Sequence, residues 1–222
     1  PTNIPFHGGN SVYCNAESAR LILTSAPNNW TITDGGKDCT GAEFITTWQT
    51  TTANEYITIP TGTGVFNYSV DWGDGITSTN QTASATHSYA TAGTHTVKIT
   101  GDFPHIESLF ANPDKDKILS VEQWGTQQWS SMKYSFQGCS NLVINATDNP
   151  DLSMVTTMEG MFSGATSFNQ DIGDWDVSNV NNMYGLFGGT PFNQDISNWD
   201  VSNVNDMSSM FGSTPFNQNI SN

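Results

Sequence analysis

The chain has 222 residues, of which 36% are hydrophobic and 12% charged, and its 21 acidic and 6 basic residues give a formal net charge of −15. An acidic surface repels phosphate backbones, and a single arginine, Arg20, provides no basic stripe, so the composition argues against nucleic acid as a partner. No apolar run reaches the ~18 residues of a membrane-spanning helix, so we expect no transmembrane segment.

Residues 1–43 predict a small unit of one helix and one strand. Asn15 suits the N-cap of a helix, and residues 30–32 alternate as a short strand. Cys14 and Cys39 bracket this unit, and a disulfide between them would add about 3 kcal/mol of stability by restricting the unfolded chain. The alternative is a pair of buried free thiols.

Residues 44–106 have the period-two pattern of short antiparallel strands, at EYITIP, VFNYSVDW, ATHSYA and THTVKITG. Glycine-containing turns separate these strands, which predicts a small β-sandwich. The residues VDWGDG at 70–75 and HSYATAGTHTVKITG at 87–101 resemble the polycystic-kidney-disease-type (PKD) immunoglobulin-like domain. That resemblance implies an extracellular spacer module.

Asp71 and Asp74 flank a glycine within this motif, and two carboxylates at that spacing are candidate calcium ligands. The alternative is structural: Asp74 hydrogen-bonds to the backbone of its own turn, and Asp71 lies solvated at a strand end.

Residues 107–222 contain a repeat, with Trp175 and Trp199 separated by 24 residues. The copies read FNQDIGDWDVSNVNNMYGLF from Phe168 and FNQDISNWDVSNVNDMSSMF from Phe192, and a third opens at Phe216. Such a period is typical of stacked coils, none of which can bury its apolar face alone. We expect the stack to continue beyond residue 222.

Within a copy, alternating residues predict short extended segments, followed by a short helix or 3₁₀ turns where Val180, Met183 and Phe187 recur at i, i+3 and i+7. The apolar residues of each copy are predicted to fill the core. Cys139 falls where a later copy has Ala165, so we interpret it as a small core residue.

These copies closely resemble the BspA-type leucine-rich repeat of bacterial surface proteins, and residues 1–43 look similar to the last unit of a preceding repeat array. The expected fold is mainly β with short helices: a small PKD-like β-sandwich followed by a leucine-rich-repeat-like solenoid. The resemblance implies an extracellular or cell-surface protein of bacterial type that takes part in adhesion or protein binding.

Stacking places equivalent residues of successive coils about 4.8 Å apart, so amide side chains are expected to form exposed columns. The columns consist of Asn169, Asn193 and Asn217, and of Gln170, Gln194 and Gln218. Asp171 and Asp195 also align, and the nine acidic residues from 134 to 222 have no Lys or Arg among them. Backbone N–H donors, solvation with salt screening, or bound calcium could relieve this repulsion.

Five Asn-x-Ser/Thr sequons are candidate glycosylation sites. They begin at Asn29, Asn67, Asn80, Asn145 and Asn219.

The histidines have no metal or triad spacing and no phosphate-binding loop follows a strand, so we expect no enzyme. The leading hypothesis is a noncatalytic surface protein that binds a protein or glycan. One alternative is a fibre subunit that self-associates through the ends of its solenoid, and another is an accessory segment of a larger carbohydrate-acting enzyme.

Overall fold

The computed structural model describes residues 4–7, 17–33, 41–108 and 112–220. At the N-terminus, strand β1 (Pro5–His7) pairs in parallel with β2 (Thr31–Thr33), and helix α1 (Glu17–Thr24) lies between them in sequence. The predicted helix and strand are both present. The parallel pairing of β2 with β1 was not predicted from the sequence. Cys14 and Cys39 lie outside the described residues.

The β-sandwich has six strands: β3 (Phe44–Thr50), β4 (Glu55–Ile59), β5 (Asn67–Asp71), β6 (Thr77–Gln81), β7 (Ala85–Tyr89) and β8 (Gly93–Asp102). One antiparallel layer has the order β3-β8-β5-β6, and β4 pairs with β7 in the other. Residues of β3 alternate between buried and half-buried because one face of the sheet covers the core. The core is rich in aromatic rings, including Trp48, Trp72 and Tyr89.

The sandwich sheet continues into the repeat segment. Strand β9 (Ile118–Gln123) pairs antiparallel with β3, and β10 (Val143–Ile144) pairs in parallel with β9. The full order is therefore β10-β9-β3-β8-β5-β6. The two segments on either side of residue 106 share one sheet.

Four coils of the repeat segment stack through equivalent stretches that we call turn runs, at residues 132–138, 158–164, 183–189 and 207–213. In the first three, the first, third, fifth and seventh residues donate backbone N–H groups to carbonyls of the next coil at 2.8–3.1 Å. The third run, for example, donates from Met183, Gly185, Phe187 and Gly189. The donors of the turn runs all point the same way, so each turn run has a donor side and an acceptor side, whereas Asn181 and Asn205 just before two of the runs donate in the opposite direction.

The turn runs are consecutive turns closed by i+3 to i hydrogen bonds, such as Leu186 N–H to Met183 O at 3.2 Å and Gly188 N–H to Gly185 O at 3.0 Å. Of the two predicted alternatives, the short helix is absent, because α1 is the only helix in the described ranges, and turns closed over three residues occupy these positions instead. The physical reason is that the third and seventh residues adopt left-handed backbone angles, as at Gly185 (φ 61°) and Gly189 (φ 72°), which interrupts a right-handed helix.

Phenylalanine rings form the centre of the stack. Rings of adjacent coils lie 5.9–6.1 Å apart along one column and 6.0–6.1 Å apart along a second, within the range of favourable offset stacking. The columns are Phe136, Phe162, Phe187 and Phe211, and Phe168, Phe192 and Phe216. The core positions predicted from the Phe168 copy are all buried, which confirms that assignment.

Candidate interaction surfaces

The predicted amide columns come together as hydrogen-bonded columns along the stack. Asn193 N–H donates to Asn169 Oδ1 at 2.8 Å, and Asn217 N–H donates to Asn193 Oδ1 at 3.0 Å. Gln194 Nε2 donates to Asn169 Oδ1 at 3.2 Å, and Gln218 Nε2 repeats that contact with Asn193 at 3.1 Å. Gln170 instead accepts the N–H of Asn169 through Oε1 at 3.3 Å. The column therefore holds coils in register as well as presenting amides to solvent.

Asp171 and Asp195 each close a local turn. Asp171 Oδ1 accepts the N–H of Gly173 at 3.0 Å, and Asp195 Oδ1 accepts that of Ser197 at 2.9 Å. The backbone hydrogen bond from Ser197 lowers the pKa of the exposed Asp195. Backbone N–H groups thus stabilise these charges, one of the three mechanisms expected from the sequence.

Asp71 and Asp74 occupy the turn after β5. Asp71 Oδ1 accepts the N–H of Gly73 at 2.9 Å, and Asp74 Oδ1 accepts that of Ile76 at 3.1 Å. Asp74 Oδ2 lies 2.7 Å from His87 Nε2. Burial raises the pKa of Asp74, but the hydrogen bonds from His87 and from the Ile76 N–H together outweigh this effect, so the net shift is downward. Within the described ranges, no three His, Cys, Asp or Glu side chains are arranged to hold a metal ion, and calcium binding stays an untested prediction.

A polar cluster not predicted from the sequence surrounds Glu159, and we call it the Glu159 face: Lys133, Tyr134, Glu159, Asn182 and Tyr184. Lys133 Nζ and Asn182 Nδ2 lie 3.0 and 3.3 Å from Glu159 Oε2. Tyr134 donates its hydroxyl to the other carboxylate oxygen. Burial raises the pKa of Glu159. The hydrogen bonds from Tyr134 and Lys133 lower it and together outweigh the effect of burial, so the net shift is downward. Three coils contribute side chains to the cluster, so no single repeat copy reveals it. The sequence signal that could have indicated it was Lys133, the last basic residue before a stretch of acidic residues.

Tyr184 gives the Glu159 face an exposed aromatic group. Tyr184 is 47% exposed. Its backbone N–H donates to Asn182 Oδ1 at 2.8 Å, and this hydrogen bond holds the backbone at Tyr184 in place. An exposed ring on a rigid backbone beside a charged pair is typical of residues that dominate binding interfaces.

The donor face of the last coil is open. The N–H groups of Met207, Ser209, Phe211 and Ser213 face no acceptor in the described part of the chain. Apolar side chains beside them are also uncovered: Met207 is 41% exposed, whereas the equivalent Met183 is fully buried.

Other predicted positions are distributed over the surface. Each sequon asparagine is exposed. They are Asn29, Asn67, Asn80, Asn145 and Asn219. Cys139, in contrast, is buried, and burial raises the pKa of its thiol to about 12, as expected for a core residue.

Across the described ranges, no helix is long and apolar enough to span a membrane. Comparison with known proteins finds no matching curated protein and no matching solved structure. The family described as Mycoplasma protein of unknown function, DUF285, matches residues 105–222, which is more than half of the chain. The match begins at His105, the residue that hydrogen-bonds to the first coil at Lys133 O. The chain therefore belongs to the DUF285 family.

Proposed function

We propose that this chain is a noncatalytic binding protein of the bacterial cell surface or extracellular space, and that its repeat stack is a BspA-type leucine-rich-repeat solenoid. One observation carries the proposal: repeated apolar residues fill the core while repeated asparagine and glutamine side chains line the same face in three successive copies. A rigid surface with side chains at a fixed spacing can engage an extended partner at several points. The partner we propose is a protein or a glycan.

The Glu159 face is the part of the stack best suited to recognition. Tyr184 supplies an exposed aromatic ring, and Lys133 and Glu159 supply a paired charge. Aromatic and charged groups on a fixed backbone lose little conformational entropy when a ligand binds.

We also propose that the sandwich is a PKD-like spacer. The residues that carry the resemblance form one cluster: Tyr89 donates its hydroxyl to Trp72 O at 2.8 Å, and the rings of Trp72 and His87 stack at 5.1 Å. His87 in turn contacts Asp74 of the W-G-D-G turn. The cluster supports the resemblance because Trp72 and Asp74 of the first motif stretch contact His87 and Tyr89 of the second.

A fibre built by end-to-end stacking is the second candidate, and the open donor face favours it. A second copy would need a free acceptor row on the first coil, however, and His105 already donates to the Lys133 carbonyl of that row. We therefore rank surface binding above fibre assembly. A molecular mass that stays constant as protein concentration rises would eliminate the fibre.

The binding proposal can be tested by applying the full chain to an array of glycans and extracellular proteins. We expect retention on specific spots and a loss of about tenfold or more for Tyr184→Ala, since interface aromatic residues often contribute that much. Tyr56→Ala, which changes an exposed tyrosine of the sandwich, is the matched control. Retention no greater than that of the urea-unfolded chain would refute binding, and turnover of a bound spot would refute the noncatalytic assignment.

A further inference from the structure

The second residues of successive turn runs form one column on the surface of the stack. In chain order they are Lys133, Glu159, Tyr184 and Ser208. Backbone hydrogen bonds set each of them beside the next, as where Tyr184 O accepts the N–H of Gly160, the residue after Glu159, at 2.8 Å. Every run has Met first and Phe fifth, whereas this column changes from a cation to an anion to an aromatic residue. The requirements of stacking therefore do not explain which residues occupy the column.

A glycine makes room for the support of the charged pair. A Cβ added to Gly160 would lie 2.8 Å from Cδ1 and Cε1 of Tyr134, so the Tyr134 ring lies against the bare backbone of the second coil. Lys133 Nζ lies 4.9 Å from the centroid of that ring, and the Tyr134 hydroxyl donates to Glu159. The pair of Lys133 and Glu159 is thus held in position before a ligand arrives, which lowers the entropic cost of binding.

The five residues of the Glu159 face have no net charge, although the chain as a whole has a formal charge of −15. The hydrogen bond to Glu159 raises the pKa of Lys133, so the pair stays ionised at neutral pH. A cationic ligand would have to displace Lys133 from Glu159, and an anionic ligand would be repelled by the acidic chain. The electrostatics of this face favour an uncharged ligand.

The apolar surface of the face is a single ring. Among the exposed large hydrophobic residues of the described chain, Tyr184 is the one that belongs to it. A stable protein interface needs about 800 Å² from each partner and an apolar centre of several side chains. A sugar ring needs much less, because its C–H groups pack on one aromatic face while its hydroxyl groups remain at the edge.

We propose that the Glu159 face binds an uncharged glycan, with one sugar ring packed on Tyr184 and hydroxyl groups of the glycan on Lys133 and Asn182. This assignment rests on the proposed binding function, whose ligand it narrows to a neutral glycan. An ammonium group has three hydrogen-bond donors and a primary amide has two. Contact with Glu159 uses one donor of Lys133 and one of Asn182. The other donors match the acceptor oxygens of sugar hydroxyl groups.

The test titrates the isotope-labelled full chain with uncharged hexasaccharides of glucose, mannose, galactose and N-acetylglucosamine, followed by NMR. We expect at least one of them to shift both the backbone amide of Tyr184 and the side-chain amide of Asn182. Raising sodium chloride from about 0.05 M to about 0.5 M should change that affinity by less than about twofold, because the ligand has no charge to screen.

Variants of the exposed tyrosine test the stacking contact. Tyr184→Ala should weaken binding about tenfold or more, whereas Tyr184→Phe keeps the ring and should weaken it by less than about threefold. Tyr56→Ala, which removes an exposed tyrosine of the sandwich, is the matched control and should leave the affinity unchanged. Melting temperatures of the variants show that each is folded.

Binding that Tyr184→Ala leaves intact, or that added salt abolishes, would overturn the glycan assignment. So would retention of the chain on extracellular proteins while no hexasaccharide shifts the Tyr184 amide, and in that case the binding function itself would stand. If neither proteins nor glycans retain the chain, the binding function and the glycan assignment both fail.

Discussion

The imidazole of His105 donates from Nε2 to the backbone carbonyl of Lys133 at 2.8 Å. The equivalent carbonyl in the next coil, that of Glu159, accepts the backbone N–H of Tyr134 at 2.9 Å. A buried side chain thus takes the place of a backbone donor at the first coil. Its Nδ1 accepts the N–H of Thr63 at 3.1 Å, so one ring joins a sandwich loop to the repeat stack.

Replacing His105 should weaken this junction. His105→Phe removes the hydrogen-bond partners of the Thr63 N–H and the Lys133 carbonyl, and we expect a loss of about 1–3 kcal/mol in the free energy of unfolding. Urea denaturation of the full chain measures it. His105→Gln keeps one donor and one acceptor and should recover part of the loss. If both variants were as stable as the original chain, the hydrogen bonds of His105 would not stabilise the contact between the sandwich and the repeat stack.

A second contact between the sandwich and the repeat segment, the ion pair of Glu55 in β4 with Lys117 just before β9, should make stability depend on pH. The backbone N–H of Thr51 and the ammonium of Lys117, 3.0 Å away, lower the pKa of Glu55 from 4.5 to about 2. Because the folded pKa lies below the unfolded value, the stabilisation is complete above about pH 4.5 and is lost as the pH falls towards 2.

Glu55→Gln should therefore reduce stability at pH 7 by an amount that shrinks progressively below pH 4.5. Urea midpoints between pH 7 and pH 2 measure the difference. Asp102→Asn, which removes an exposed carboxylate from β8, controls for the loss of one negative charge. A difference that does not depend on pH would show that the charge of Glu55 is not involved.

The left-handed positions of the last coil are occupied by serine rather than glycine. Ser209 and Ser213 have φ angles of 58° and 59°. Ser209→Gly should raise the free energy of unfolding by about 0.5–1 kcal/mol because it removes a conformational penalty. Gly185→Ala is the reciprocal test: an added Cβ meets no atom within 4 Å, so its cost, about 1 kcal/mol, is conformational. Thermal denaturation measures the change in stability of both variants. A less stable Ser209→Gly variant or a more stable Gly185→Ala variant would contradict the left-handed backbone conformation at these positions.

Removal of divalent cations should leave the melting temperature unchanged at fixed ionic strength. The carboxylates of Asp71, Asp74, Asp171 and Asp195 already accept backbone N–H groups. Added sodium chloride should instead raise the melting temperature from its low-salt value, because the nine acidic residues between 134 and 222 repel one another and have no Lys or Arg among them, although Lys133 pairs with Glu159. A decrease on chelation that calcium alone reverses would support the calcium site in place of this account.

The sequence predicted the features that depend on local pattern. Strands β4, β5, β7 and β8 follow the period-two alternation, and the buried Phe, Ile, Trp, Val and Met positions follow from comparing two copies. The pairing of β9 with β3 had no such signal, because its partners, such as Thr46 and Val121, are far apart in the chain.

The sequence left a short helix and 3₁₀ turns open at these positions because both bring apolar residues together at i and i+3. Glycines at Gly160 and Gly164, and again at Gly185 and Gly189, recur four residues apart and could have indicated the turns. The Glu159 face was missed because its members occupy positions where the copies differ.

The most direct test is hydrogen exchange on the unmodified chain, because the turn runs donate in one direction and the last run has no acceptor among the described residues. The amides of Gly185, Phe187 and Gly189 and those of Ser209, Phe211 and Ser213 can be measured in the same sample. We expect slow exchange of the Gly185, Phe187 and Gly189 amides, which have acceptors in the next coil. We expect fast exchange of the Ser209, Phe211 and Ser213 amides. Equally slow exchange of both sets in dilute protein would contradict it.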